Sequence, residues 1–198
     1  MRSRLVLFCA GVFSLAGAAN AEVLAVGEAG FAIRLSEQAA ADPLQVWDAL
    51  VEPRTWWSGV HTYSGDPAML SIDPRAGGCF CEALPAVGEG QGLRPASIEH
   101  MRVVYANPGK VLRLVGALGP LQPEAVNGTL SVVLKPRVTG TEIVWEYVVA
   151  GYSRRKLEEL APVVDRVLAE QARRLAARFP SVPPPPAPEE LSGPEDGR

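Results

Sequence analysis

Between Phe31 and Val149 apolar and polar residues alternate with a period of two in a series of short runs; after about Ala161 the period lengthens to that of a helix. The first run, Phe31 to Ala39, sets Phe31, Ile33 and Leu35 against Arg34 and Ser36. Asp42-Pro43 has the chemistry of a helix start, an acid able to cap the free N–H groups followed by a proline in the first turn. That helix carries Val46, Trp47 and Leu50 and ends at Pro53, and Arg54-Thr55-Trp56-Trp57 reads as a second short helical turn. Gly59 to Pro67 is a loop. Met69–Ile72 and Cys79–Leu84 read as a hairpin around Pro74-Arg75-Ala76-Gly77-Gly78.

Val87 to Pro95 is a glycine-rich connection, in which Gly88-Glu89-Gly90-Gln91-Gly92 lacks the strand-to-helix setting of a phosphate loop. Strict alternation over Ile98 to Ala106 puts Met101, Val103 and Tyr105 on one face and His100 and Arg102 on the other. Asn107-Pro108-Gly109 turns the chain into Val111–Val115, and a loop with Gly116, Gly119, Pro120 and Pro123 follows. The last strands, Val126–Lys135 and Thr141–Val149, meet at Thr139-Gly140. Ile143, Trp145, Tyr147 and Val149 share one face and Glu142 and Glu146 the other, as in a sheet with one buried and one wet side.

The closing segment is amphipathic. Val164, Val167, Leu168, Ala172, Leu175 and Phe179 follow the i, i+3, i+4 rule, and Arg166–Glu170 and Glu170–Arg174 are placed as outer ion pairs. Proline is tolerated only in a first turn, so Pro162 predicts a start near Ala161. Each large apolar side chain on this stripe is worth about 1.5–3 kcal/mol on burial, so the helix is integral to the fold. The pattern predicts an α+β fold: a curved antiparallel sheet of about six to seven strands wrapped around a long C-terminal helix, with two short helices after the first strand. Unequal side chains across that seam can leave a ligand-sized cavity.

The ends of the chain have a different composition. Residues 1–21 read as an export signal, with Arg2 and Arg4, an apolar run from Leu5 to Leu15, and Ala19-Asn20-Ala21 as the cleavage site. The run is too short for a membrane span, and no second stretch is long enough. A periplasmic or secreted protein is therefore expected. The formal net charge of −3 becomes more acidic once Arg2 and Arg4 are removed, which speaks against nucleic acid as a partner. Residues 181–198, with Pro183-Pro184-Pro185-Pro186 and four acids, have the composition of an extended tail. The folded domain is expected over 28–180.

The order of one strand, two short helices, a meander and a long final helix resembles the helix-grip fold of the START-like (SRPBCC) superfamily. The nearer likeness is to its polyketide-cyclase-like and heat-shock-chaperone ATPase-activator-like branch. It rests on Asp42-Pro43 with Val46-Trp47, on Trp56-Trp57, on Gly77-Gly78-Cys79-Phe80-Cys81-Glu82, on His100-Met101-Arg102-Val103 and on Leu168 to Leu175. The resemblance implies binding of an apolar or amphipathic small molecule between sheet and helix; some such proteins are enzymes. Export and the proline-rich tail depart from the usual cytosolic member.

The chemistry-bearing residues are few. Cys79 and Cys81, at i, i+2 on a strand, lie about 6.6–6.8 Å apart at Cα if the strand is straight, at the limit for a disulfide. A bridge, two inert buried thiols, or a metal site with His61 and His100 are the alternatives, and C-x-C is shorter than usual zinc spacing. His61 is a loop histidine that would need an orienting acid to act as a base. Glu82, one step from Phe80, either lines the cavity or faces outward. Gln171 falls within the apolar stripe and must find a partner in sheet backbone, water or ligand. No metal or cofactor is expected, and no catalytic residue is assigned. The expected partner is a small apolar or amphipathic molecule, contacted by Trp56, Met101, Tyr105, Leu112, Trp145, Tyr147, Gln171 and Leu175. The alternatives are an enzyme of cyclase, dehydratase or hydrolase type in the same cavity, which requires a polar dyad inside it, and a chaperone-helper or interaction module.

Overall fold

The alternation at Phe31, Ile33 and Leu35 becomes one buried edge of strand β2 (Gly30–Ala39), which pairs along its length with the last strand, β8 (Gly140–Tyr152). In the computed structural model, which describes residues 22–88 and 93–180, eight strands form one open antiparallel sheet. Its spatial order is β1-β2-β8-β7-β6-β5-β4-β3. The remaining strands are β1 (Glu22–Gly27), β3 (Leu70–Ile72), β4 (Cys79–Val87), β5 (Arg94–Asn107), β6 (Val111–Gly116) and β7 (Ala125–Arg137). From β3 to β8 the sheet is a simple meander. The export signal expected over 1–21, the glycine-rich turn at 89–92 and the tail over 181–198 lie outside the described residues.

The strand count exceeds the expected six to seven because β1 adds an edge strand. Its pattern is not periodic in burial: Leu24 and Val26 are both half exposed, and only Val23 packs against the core. Hydrophobic alternation therefore had nothing to report there, although the backbone pairs regularly with β2 apart from one bulge after Val23.

Helix α1 (Pro43–Leu50) starts as its sequence predicts. Asp42 Oδ1 accepts from the N–H groups of Leu44 and Gln45 at 2.9 and 3.1 Å, and Gln45 Oε1 accepts from the Asp42 N–H in return. Helix α2 (Leu157–Ala176) starts one turn earlier than expected. Pro162 sits inside it and removes one backbone bond, but Leu157 and Leu160 are almost fully buried. Burial of those two leucines extends the helix through the proline. The helix lies across β1, β2 and β8 and against the Gly119–Leu121 turn.

Core side chains fill most of the seam. Leu112, Leu130, Trp145, Tyr147, Leu168 and Leu175 are all 3% exposed or less. The opposite face of the sheet carries polar pairs beside exposed Val104, Tyr105 and Val148: Arg34 pairs with Glu146, Arg137 with Glu142, and Arg113 Nε donates to Ser131 Oγ at 2.9 Å.

One close approach fixes the middle of the sheet. A Cβ at Gly128 would lie 2.4 Å from the Tyr147 ring, so only glycine lets that ring lie flat over β7. There its hydroxyl donates to the Gly116 carbonyl at 3.1 Å and accepts from the Leu118 N–H at 3.2 Å. The Gly128→Ala substitution is expected to cost about 1–3 kcal/mol through overpacking. Urea denaturation checks this, the midpoint falling with an unchanged slope.

Candidate functional site

Two irregularities in β5 decide which side chains face inward. Between β4 and β5 the register passes from Phe80 opposite Met101 to Cys81 opposite Glu99, so His100 is an extra residue. His100 and Met101 consequently both turn to the buried side, at 7% and 1% exposure. A second shift, at Val104, reverses the parity again. Tyr105 thus leaves the inner face expected for it: it is 43% exposed on the outer side, with the Arg113 guanidinium 5.9 Å from its ring centroid.

On β4 the strict alternation holds. Phe80 and Glu82 point inward, Cys79 and Cys81 outward. The two cysteines are neither inert thiols nor metal ligands: they form a disulfide, with Cα atoms 5.3 Å apart. Glu82 is the opposite of a surface carboxylate, having no solvent exposure at all. Its Oε2 accepts from the Tyr63 N–H at 3.1 Å and meets His100 Nε2 at 2.9 Å, and its Oε1 accepts from the Ser64 N–H. Burial pushes the Glu82 carboxyl up, but the bonds from Ser64, Tyr63 and His100 outweigh it, and its pKa lies below the usual value. Glu82 is therefore ionised at neutral pH, and an ionised carboxylate only accepts. His100 Nε2 must carry the proton of that bond. Burial, only partly offset by Glu82, lowers the His100 pKa below 6.5 and keeps the ring neutral. Among the described residues no group bonds to its Nδ1.

The loop from Thr55 to Ser64 is held from the other side by α2 and the turn that follows it. Gln171 Oε1 accepts from the buried Ser58 N–H at 2.8 Å, Arg174 Nε donates to the Trp56 carbonyl at 2.7 Å, and Arg178 donates to the Thr55 carbonyl at 3.1 Å. Glu170 Oε2 lies 3.0 Å from His61 Nε2. Glu170 and Arg174 thus turn toward the loop instead of forming the expected ion pairs along the helix. Burial tends to raise the Glu170 carboxyl, but Ser58, His61 and Arg174 bring it below its usual value. Gln171 Oε1 finds its partner in loop backbone rather than in the sheet, and its buried Nε2 has no partner among the described residues. Trp57 Nε1 donates to the His61 carbonyl at 3.1 Å.

A cavity of about 340 Å³ opens between this loop, the Leu118–Pro123 segment and the middle of α2. Its apolar wall is Trp57, Leu118, Pro120, Val164, Val167 and Leu168; His61, Thr62, Tyr63 and His100 supply the polar positions. The residues expected to contact a ligand do not line it. Trp56, Met101, Leu112, Trp145, Tyr147 and Leu175 are buried in the hydrophobic core, Gln171 is buried among them, and Tyr105 faces outward. Sequence reasoning missed His100 because strict alternation cannot show a bulge, and missed Leu118 and Pro120 because loop residues carry no periodicity. Glu82 was detectable through its parity with Phe80.

Comparison with solved structures finds the same architecture elsewhere. Protein MLL2253 from Mesorhizobium loti is similar at a TM-score of 0.51 and 16% identity, over 74% of this chain and 94% of that one. CalU16 from Micromonospora echinospora is similar at a TM-score of 0.51 and 14% identity, over 83% and 88% of the two chains. SA2116 from Staphylococcus aureus, a protein of unknown function, is similar at a TM-score of 0.52 and 13% identity, over 74% and 91%. These likenesses carry the fold alone: an antiparallel sheet gripping a C-terminal helix. No family model matches the chain, and none of the curated proteins does.

The Glu82–His100 pair makes stability depend on pH. With its folded pKa below the unfolded 6.5, His100 binds more protons when unfolded; its contribution is complete above that value and is lost on acidification. Glu82 acts in the same sense below its ordinary 4.5. Glu37 and Asp165, both raised by burial, act in the opposite sense. A difference between wild type and His100→Gln therefore isolates the histidine. Urea midpoints taken from pH 7 downward are expected to fall more steeply just below 6.5 in the wild type than in the variant.

Proposed function

We propose that this is an exported START-like protein that binds one small, mostly apolar molecule in the cavity beneath the middle of α2. The observation that carries the reading is the cavity itself. Its volume of about 340 Å³ falls in the range of small-molecule sites. Apolar side chains from a helix and two loops surround it, with polar groups confined to the His61–Tyr63 side and to His100. That division suits an amphipathic or weakly polar ligand whose apolar body displaces water while one polar end meets the imidazoles.

Export is supported by the charged and apolar pattern of residues 1–21 and by the disulfide between Cys79 and Cys81, which belongs to an oxidising compartment. Among the described residues no helix is long and apolar enough to cross a membrane. Membership of the START-like superfamily is supported by the strand order, by the helix lying across the sheet, and by the motifs around Asp42-Pro43 and Gly77 to Glu82.

Binding of the uncharged fluorophore N-phenylnaphthylamine tests the reading. The wild type is expected to enhance and saturate its fluorescence. Val167→Trp, which fills the cavity from α2, is expected to weaken binding about tenfold or more, about 1.4 kcal/mol, while the urea midpoint stays near the wild-type value. Equal binding by both proteins would place the site elsewhere.

A further inference from the structure

The cavity contains a pairing that simple ligand storage does not use. Glu82 is fully buried on β4 and bonds to His100 Nε2 at 2.9 Å, and His100 lines the cavity wall. We propose that His100, oriented by Glu82, is a general base in this cavity that removes a proton from a carbon acid. The substrate class is an apolar molecule with an acidified C–H bond, such as one beside a carbonyl. This rests on the cavity being the ligand site.

With Nε2–H committed to the carboxylate, the Nδ1 lone pair is left to accept a proton. In the step, the substrate C–H bond breaks and an N–H bond forms at Nδ1. The electron pair stays with the substrate and delocalises into its carbonyl as an enolate. The Glu82 carboxylate compensates the imidazolium. Return of the proton to the same or a conjugated carbon completes an exchange or isomerisation, with no outside oxidant, reductant or co-reactant. Leu118, Val164 and Leu168 give the cavity beside the base an apolar wall that suits such a substrate. Glu82 acts through His100 and is a positioning residue. The other titratable groups facing the cavity are His61, with Glu170 behind it, and Tyr63.

Nitrobenzisoxazole is a suitable probe: removal of its ring C–H proton breaks the N–O bond and releases a coloured cyanonitrophenolate. The wild-type protein is expected to open it, with a rate that rises with pH through a value below 6.5 and then levels. His100→Gln is expected to lower the rate about 100-fold while N-phenylnaphthylamine still binds. Glu82→Gln is expected to lower the plateau and move the rising limb to lower pH, because the carboxylate no longer favours the imidazolium; a carboxylate with a structural role alone would leave the profile in place. If His100→Gln does not fold, His100→Asn and the wild-type profile carry the same test. A wild-type rate no greater than that of the His100 variants overturns the proposal, as does loss of rate on His61→Gln with His100→Gln still active. If the fluorophore still binds in those cases, the binding reading survives alone; if it does not, both fall.

Discussion

A carboxylate with no exposure to water, held between two strands and a loop, is the constraint on which the site depends. Glu82 sits on the inner face of β4 and accepts from two successive backbone N–H groups, those of Tyr63 and Ser64, and from an imidazole on β5. Three donors convert what would be a costly buried charge into a fixed point. Without it, the backbone of the loop at Tyr63 and Ser64 loses its hydrogen bonds to the sheet, and the loop keeps its contacts to the helix side and the Tyr63 hydroxyl's bond to the Gly119 carbonyl. The helix-side contacts come from Glu170, Gln171 and Arg174 along one face of α2 and from Arg178 just past its end, so the loop is clamped between helix and sheet.

The far wall of the cavity is set with the same economy. Tyr147 lies over Gly128 and holds the chain at Gly116 and Leu118 through its hydroxyl, whose pKa burial pushes up to about 12. That bond directs Leu118 and the Gly119–Leu121 turn toward α2. A residue placed by sequence reasoning in contact with ligand is thus one step behind the wall. The same is true of Trp145, which packs edge-on against Trp56 with ring centroids 6.1 Å apart. Large aromatics at the middle of the seam fill it solid and leave the hollow at one end, where glycine and proline interrupt the strands.

Most of the fold was legible because both of its periods are long. Phe31 to Ala39, the last two strands and the helical stripe from Val164 to Leu175 each bury a continuous face, and burial is what hydrophobic patterning records. Asp42-Pro43 was equally clear, since its capping chemistry is local. The site was much less legible, for physical reasons. Bulges at His100 and Val104 each add one residue and exchange inside for outside, which moved His100 into the cavity and Tyr105 out of it. Arg166, Glu170 and Arg174 have ideal spacing for helix ion pairs, yet exposed pairs of that kind are worth only a few tenths of a kcal/mol. The loop offers Glu170 and Arg174 better partners in His61 and the Trp56 carbonyl.

The most direct measurement is nitrogen NMR of the His100 side chain in isotopically labelled protein across a pH titration. The geometry predicts a neutral ring protonated at Nε2, with a bare Nδ1, that takes up its second proton only below 6.5. An Nδ1–H tautomer, or a ring that is already charged above that pH, would contradict the role assigned to Glu82.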